Sequence, residues 1–258
     1  MKYDMIKQAA FLERPNRFTA WVELEGERRP CHVKNTGRCR ELLVPGAAVY
    51  VQYAGNPDRK TQYDLIGVKK GETMINMDSQ APNKVVGEWL AAGGLFSDLT
   101  ALRPETKYGT SRFDFYIEAE GKRIFMEVKG VTLEEDGVCA FPDAPTQRGA
   151  KHLRGLAEAA GQGYGAYVLF VIQMEGVRSL HPNEATDPEF ARALRQAAQA
   201  GVEVLARSCA VTPQSMTITK PVPVELGCLP SGNNLPLETA DIQMPFSFGK
   251  ISTKPIDF

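Results

Sequence analysis

The chain has 258 residues, 43% of them hydrophobic and 24% charged, which is enough to bury the core of one large domain or two ordinary ones. Its longest apolar run, Ala166 to Ile172, falls far short of the roughly 20 residues a membrane-spanning helix needs. The N-terminus mixes charges and lacks the apolar stretch of a secretory signal, so a cytoplasmic protein without a membrane partner is expected.

The net charge of −1 argues against a histone-like grip on nucleic acid. Residues 1–80 nevertheless hold 13 Lys and Arg against 10 Asp and Glu, so a basic N-terminal module precedes an acidic one. In that first part, short β-branched and aromatic bursts (Phe18 to Leu24, Ala47 to Tyr53, Tyr63 to Val68, Met74 to Met77) alternate with Gly, Pro, Asn and Asp. This is the rhythm of a small all-β barrel. Five or so strands over residues 1–80 match an OB-fold, a scaffold often used on nucleic acids, although size alone does not separate it from an SH3-like barrel.

From residue 81 the period changes. Asn83 is placed to cap a helix carrying Val85, Val86, Trp89 and Leu90, which ends at Gly93 and Gly94. Arg112 to Ala119 and Arg123 to Val131, separated by Glu120-Gly121-Lys122, read as the strands of a hairpin. Asp143 with Pro145 opens a helix to about Ala160. Tyr164 to Ile172 is apolar on both faces, as in a central strand covered from both sides, and the helix before it predicts a parallel crossover. A helix over Pro188 to Ala200 and strands at Val202 to Arg207 and Met216 to Val224 complete residues 81–227 as a mixed sheet with flanking helices. Residues 228–258 have no sustained period and are expected to form a loosely ordered tail. The five cysteines include no CxxC pair, and Cys31, His32 and Cys39 lack a fourth ligand, so neither a disulfide framework nor a zinc site is supported.

The chemistry concentrates in the hairpin. Alternate strand residues share a face, so Glu127 and Lys129 point the same way while Met126 and Val128 enter the opposite layer. Asp114 lies on the partner strand, and two carboxylates with an ammonium can converge. Such a set suits phosphodiester hydrolysis: hard oxygen ligands hold Mg²⁺ or Mn²⁺, and the lysine can orient water and offset charge on the phosphoryl oxygens. Glu88, on the preceding helix, is a candidate further metal ligand beside Asp114 and Glu127. The competing reading of Glu127 and Lys129 is a solvated cross-strand ion pair. Arg148, Lys151 and Arg154 share one face near a helix start, and Lys34, Arg38 and Arg40 form a basic loop in the barrel. Both are candidates for phosphate contacts and both equally fit an ordinary solvated surface.

NTGR at 35–38, PG at 45–46, ETKYG at 105–109, SRFDF at 111–115, MEVKGVTL at 126–133 and FPDAPTQRGAKHL at 141–153 together resemble the sugar fermentation stimulation protein A family of bacteria and archaea. The resemblance implies an OB-fold followed by a PD-(D/E)xK nuclease-like domain that binds double-stranded DNA with little sequence preference. It places Asp114, Glu127 and Lys129 on the nuclease motif and Glu88 where the family carries a helix glutamate. Gly130 stands where a serine is common, and the chain after Gly227 extends past the usual end. Two functions follow: a metal-dependent phosphodiesterase, or a non-catalytic DNA-binding regulator of sugar (notably maltose) metabolism that retains the nuclease fold.

Overall fold

Strands β1 (Ile6–Asn16), β2 (Thr19–Leu24), β3 (Glu27–Val33), β4 (Ala48–Tyr53) and β5 (Tyr63–Lys70) close into a barrel. β1 pairs antiparallel with β2 and β4, β2 with β3 and β4 with β5, and a parallel pairing of β3 with β5 shuts the ring. This is an OB-like barrel, described here by a computed structural model that covers residues 1–35, 37–56 and 58–227. The expected tail, 228–258, lies outside the described residues.

Closure explains why two strands carried little signal. In a small barrel only the inward face is buried, and β1 fully buries just Ala9 and Phe11 of its eleven residues. β3 contains Pro30, which precedes the three residues, Cys31 to Val33, that pair with β5, so no ladder bond to β5 is lost there. A short strand β6 (Thr73–Asn76) pairs with β5 and leads out of the barrel.

The rest follows in the order α1 (Ala81–Ala91), β7 (Leu99–Tyr108), β8 (Ser111–Ala119), β9 (Lys122–Val131), β10 (Glu134–Glu135), β11 (Val138–Phe141), α2 (Gln147–Gly161), β12 (Gly165–Ile172), β13 (Ser179–Pro182), α3 (Pro188–Gln199), β14 (Glu203–Thr212) and β15 (Ser215–Pro221). Six strands form a mixed sheet ordered β15-β14-β12-β9-β8-β7, with β9, β12 and β14 parallel and the outer pairings antiparallel. β10, β11 and β13 make a small separate sheet. The β8–β9 turn has Glu120 and Gly121 at φ 52° and 71°, the left-handed pair that a two-residue hairpin loop requires. One face of the sheet buries Met126, Val128, Leu169 and Val171 against Val85, Val86 and Leu90 of α1. The other buries Phe125, Val168 and Phe170 against Leu153 and Leu156 of α2 and Phe190 of α3. β12 is therefore covered on both sides, as its apolar run predicted.

Two helix starts differ from expectation. α1 begins at Ala81 with Pro82 in its first turn and no side-chain cap, so Asn83 is a helical residue rather than the cap. α2 begins at Gln147, where the Thr146 hydroxyl accepts the Gly149 N–H at 3.0 Å. Asp143 is not part of it, because its carboxylate accepts the Arg38 N–H from the barrel at 3.1 Å. Gln173, just after β12, ties sheet to barrel: its Nε2 donates to the Asn76 carbonyl and Oδ1, both at 3.0 Å, and to the Asp78 carbonyl at 3.2 Å. No helix among the described residues is long and apolar enough to cross a membrane.

Candidate active site

The β8–β9 ladder runs from Ala119 opposite Lys122 to Phe115 opposite Met126. At the next step Asp114 intervenes, its Oδ2 accepting the Val128 N–H at 2.7 Å in place of a backbone carbonyl. Strand β8 changes face here, since Phe113 enters the core on the α2 side and Phe115 the core on the α1 side. Asp114 Oδ1 accepts from Asn83 Nδ2 of α1, also at 2.7 Å.

Glu127 lies on the α2 side of β9 and is 3% exposed. Its Oε1 accepts two bonds, from Lys129 Nζ at 2.6 Å and from His152 Nδ1 at 2.5 Å. Its Oε2 is buried and has no hydrogen-bond partner among the described residues. Alternation along β9 thus brings Glu127 and Lys129 together, as the spacing predicted.

The electrostatics divide the two acids. Burial first, and the Glu127 charge second, push the Asp114 carboxyl above the usual aspartate range, against the pull of its bonds from Val128 and Asn83. Burial would likewise raise Glu127, but the His152 bond and the Lys129 ammonium together outweigh it and hold Glu127 below the usual glutamate value. Glu127 is the readily ionised partner, and Asp114 bears the cost of its neighbour's charge.

The expected third carboxylate is elsewhere. Glu88 Oε2 pairs with the Met1 ammonium at 2.7 Å. It lies five positions beyond Asn83, about 7.5 Å along the helix axis, and it is Asn83 that reaches Asp114. Among the described residues, no three His, Cys, Asp or Glu side chains gather in a metal-holding group. The thiols among the described residues offer no alternative, because burial above all raises Cys31, Cys39, Cys139 and Cys209 to about 12.

The basic candidates also sort themselves. Lys34 is turned inward, 3.2 Å from Asp78 and 3.4 Å from Asp64, and Arg154 is paired with Glu189 of α3. Arg38 and Arg40 are exposed and, with Arg14 and Arg17, line an open groove of about 600 Å³ on the barrel. Arg14 shapes that groove: its guanidinium donates to the carbonyls of Arg17, Asn35, Gly37 and Arg38 at 2.7–3.0 Å. On α2, Arg148 and Lys151 are exposed. Lys151 Nζ donates to the Thr110 carbonyl at 3.1 Å and Arg148 Nε to His152 Nε2 at 3.4 Å.

Two contributors, Asn83 and His152, were not singled out from the sequence. Asn83 looked like a cap. His152 did carry a signal, since helical spacing sets it with Gly149, Leu153 and Leu156 on the buried face of α2, where a polar group needs a partner.

The family described as "SfsA N-terminal OB domain" matches residues 12–77, and "Sugar fermentation stimulation protein RE domain" matches residues 80–215. Proteins called "Sugar fermentation stimulation protein homolog" from Clostridium beijerinckii and Ruminiclostridium cellulolyticum are each 54% identical over 226 residues, covering 88% of this chain and all of theirs. Among solved structures, that of Pyrococcus furiosus SfsA in complex with Ca²⁺ matches 87% of this chain and 98% of its own, with TM-score 0.77 and 27% identity.

Proposed function

The chain belongs to the sugar fermentation stimulation protein family, and from that premise we propose that it binds double-stranded DNA with little sequence preference and carries a divalent-metal-dependent phosphodiesterase centre at Asp114, Glu127 and Lys129. The observation that carries this reading is the bare Glu127 Oε2, a buried carboxylate oxygen with no donor, next to an Asp114 whose ionisation its charge opposes. A cation held by Asp114 and Glu127 would answer both, giving the unpartnered oxygen a partner and offsetting the repulsion. Two carboxylates fit Mg²⁺ or Mn²⁺, which take one or two from a protein and complete their shell with water and phosphate. The Ca²⁺ complex of the Pyrococcus furiosus relative supports a site for a hard, oxygen-seeking ion. When bound, the ion would supply Lewis-acid polarisation of the phosphodiester and activation of water.

The chain's own residues do the rest. Asn83 and the Val128 N–H fix the Asp114 carboxylate, and His152 and Lys129 fix Glu127. The Lys129 ammonium is placed to offset charge growing on the phosphoryl oxygens. Arg38, Arg40, Arg148 and Lys151 remain as exposed cations for the DNA backbone, with no base-reading element beside them, so binding is electrostatic.

A second reading, a DNA-binding regulator that keeps the fold without turnover, draws on one feature: Lys129 is bonded to the Glu127 carboxylate at 2.6 Å rather than standing free. Incubation of supercoiled and linear DNA with Mg²⁺, Mn²⁺ or EDTA decides between them. The nuclease reading expects cleavage that needs the metal and is abolished by Lys129→Ala with DNA affinity kept within several-fold. Arg148→Ala and Lys151→Ala should weaken binding and each lower the salt slope by about 1. No cleavage of duplex, single-stranded, branched or hybrid substrates with either metal would put the regulator first.

A further inference from the structure

We infer that His152 is a positioning residue that holds the Glu127 carboxylate so that Oε2 is the atom presented to a divalent cation, with Arg148 anchoring the far side of the imidazole; this rests on the metal-centre reading above. The geometry is a three-member chain running inward from the surface. Arg148 Nε lies 3.4 Å from His152 Nε2, and since a guanidinium has only donors, this contact favours the tautomer in which that nitrogen accepts. That tautomer carries the ring proton on Nδ1, which meets the acceptor-only carboxylate oxygen Glu127 Oε1 at 2.5 Å. His152 is 5% exposed and its ring is edge-on to Phe113, with centroids 6.1 Å apart, so packing as well as hydrogen bonding restricts the imidazole.

With Oε1 already accepting from His152 and Lys129, the carboxylate has one unsatisfied oxygen and it is buried. A glutamate held by a single lysine could rotate about its last torsion, a broad one, and exchange its oxygens. A second donor on the same oxygen, from a ring fixed at both nitrogens, removes that freedom. Partners that orient metal ligands in this way typically account for 10–100-fold in metal affinity.

The test is calorimetric titration of the whole chain with Ca²⁺ and with Mn²⁺, without DNA, alongside thermal melting. His152→Leu, which fills the buried space without a donor, should weaken both ions by about 10–100-fold while Asp114 and Lys129 are untouched. His152→Asn, whose amide nitrogen lies near the Nδ1 position, should restore affinity to within a few-fold of wild type. Equal affinity in wild type and a folded His152→Leu would overturn the inference and leave the metal-centre reading standing. Wild-type protein that binds neither ion would overturn both. If His152→Leu does not fold, the exposed Arg148→Ala decides. Loss of a positive charge near a cation site should raise cation affinity by Coulomb's law alone, so a fall supports positioning and a rise overturns it. Lys151→Ala is the control for charge, because its ammonium bonds the Thr110 carbonyl and not His152.

Discussion

Asp114 and Glu127 occupy adjoining strands of one hairpin and are shifted in opposite directions, which makes the stability of the metal-free protein depend on pH in two opposed ways. Glu127 is held below its ordinary value, so its ionised form stabilises the fold. That contribution is complete above the ordinary glutamate range and is lost as pH falls through the lower folded value. Asp114 is raised, so its contribution has the other sign: nothing is lost while it is protonated in both states, and stability falls as pH rises through the window between its ordinary and its raised value. In EDTA, Asp114→Asn should therefore gain on wild type in melting temperature from acid to neutral pH, and Glu127→Gln should lose. Added Mg²⁺ or Mn²⁺ should erase the Asp114→Asn advantage. Parallel pH profiles for wild type and both variants would contradict this account. Gly130, where relatives were expected to carry a serine, has its own constraint: a Cβ there would stand 2.5 Å from Gln173 Oε1 and 2.8 Å from Pro82 Cγ. The end of a glutamine can move but a proline ring cannot, so this chain's packing between α1 and β9 is built around the missing side chain.

At the scale of elements, α2 and α3, which pack on the same face of the sheet, share one cap. Asp187 Oδ1 accepts the Phe190 N–H at 2.9 Å as the N-cap of α3, while its Oδ2 accepts the N–H of Thr146, the N-cap of α2, at 2.7 Å. Gly149 permits this closeness, since a Cβ there would lie 2.8 Å from Thr146 Cγ2 and 3.1 Å from Phe190 Cδ2. Loss of an N-cap costs about 1 kcal/mol. Thr146→Ala should cost about that in denaturant unfolding, whereas Asp187→Ala leaves two N–H groups without acceptors and should cost about 2–3 kcal/mol. Because α2 carries His152 and Arg148, the same substitution should also weaken metal binding, and Thr146→Ala less so. A smaller effect for Asp187→Ala than for Thr146→Ala would separate the two caps.

At the scale of the molecule, the barrel and the sheet belong to one apolar core cluster, and a network of polar groups joins them as well. Gln173 donates to Asn76 and Asp78, Asn76 Nδ2 donates to the Tyr3 hydroxyl at 2.9 Å, and Lys34 spans Asp64 and Asp78. Such a network is strong when complete and costly when broken. Residues 1–227 should unfold in one calorimetric transition, and Gln173→Leu, which strands several acceptors at about 1–3 kcal/mol each, should lower it and split it in two; a single unshifted transition in the variant would sink this view of the junction. The amino-acid sequence by itself determined the class of fold, the alternation that puts Glu127 and Lys129 on one side of a strand, the short turn that brings the strand of Asp114 beside theirs, and the doubly covered strand β12. These are local: a period of 2 or 3.6 and a turn residue act over a few positions. What only the tertiary structure decided is which polar groups meet. Asn83 reaches Asp114 across 31 positions, His152 reaches Glu127 across 25 and Lys34 reaches Asp78 across 44, while Glu88 is drawn to the Met1 ammonium. No local period encodes those encounters, because they follow from the order of strands in the sheet and the side on which each helix docks.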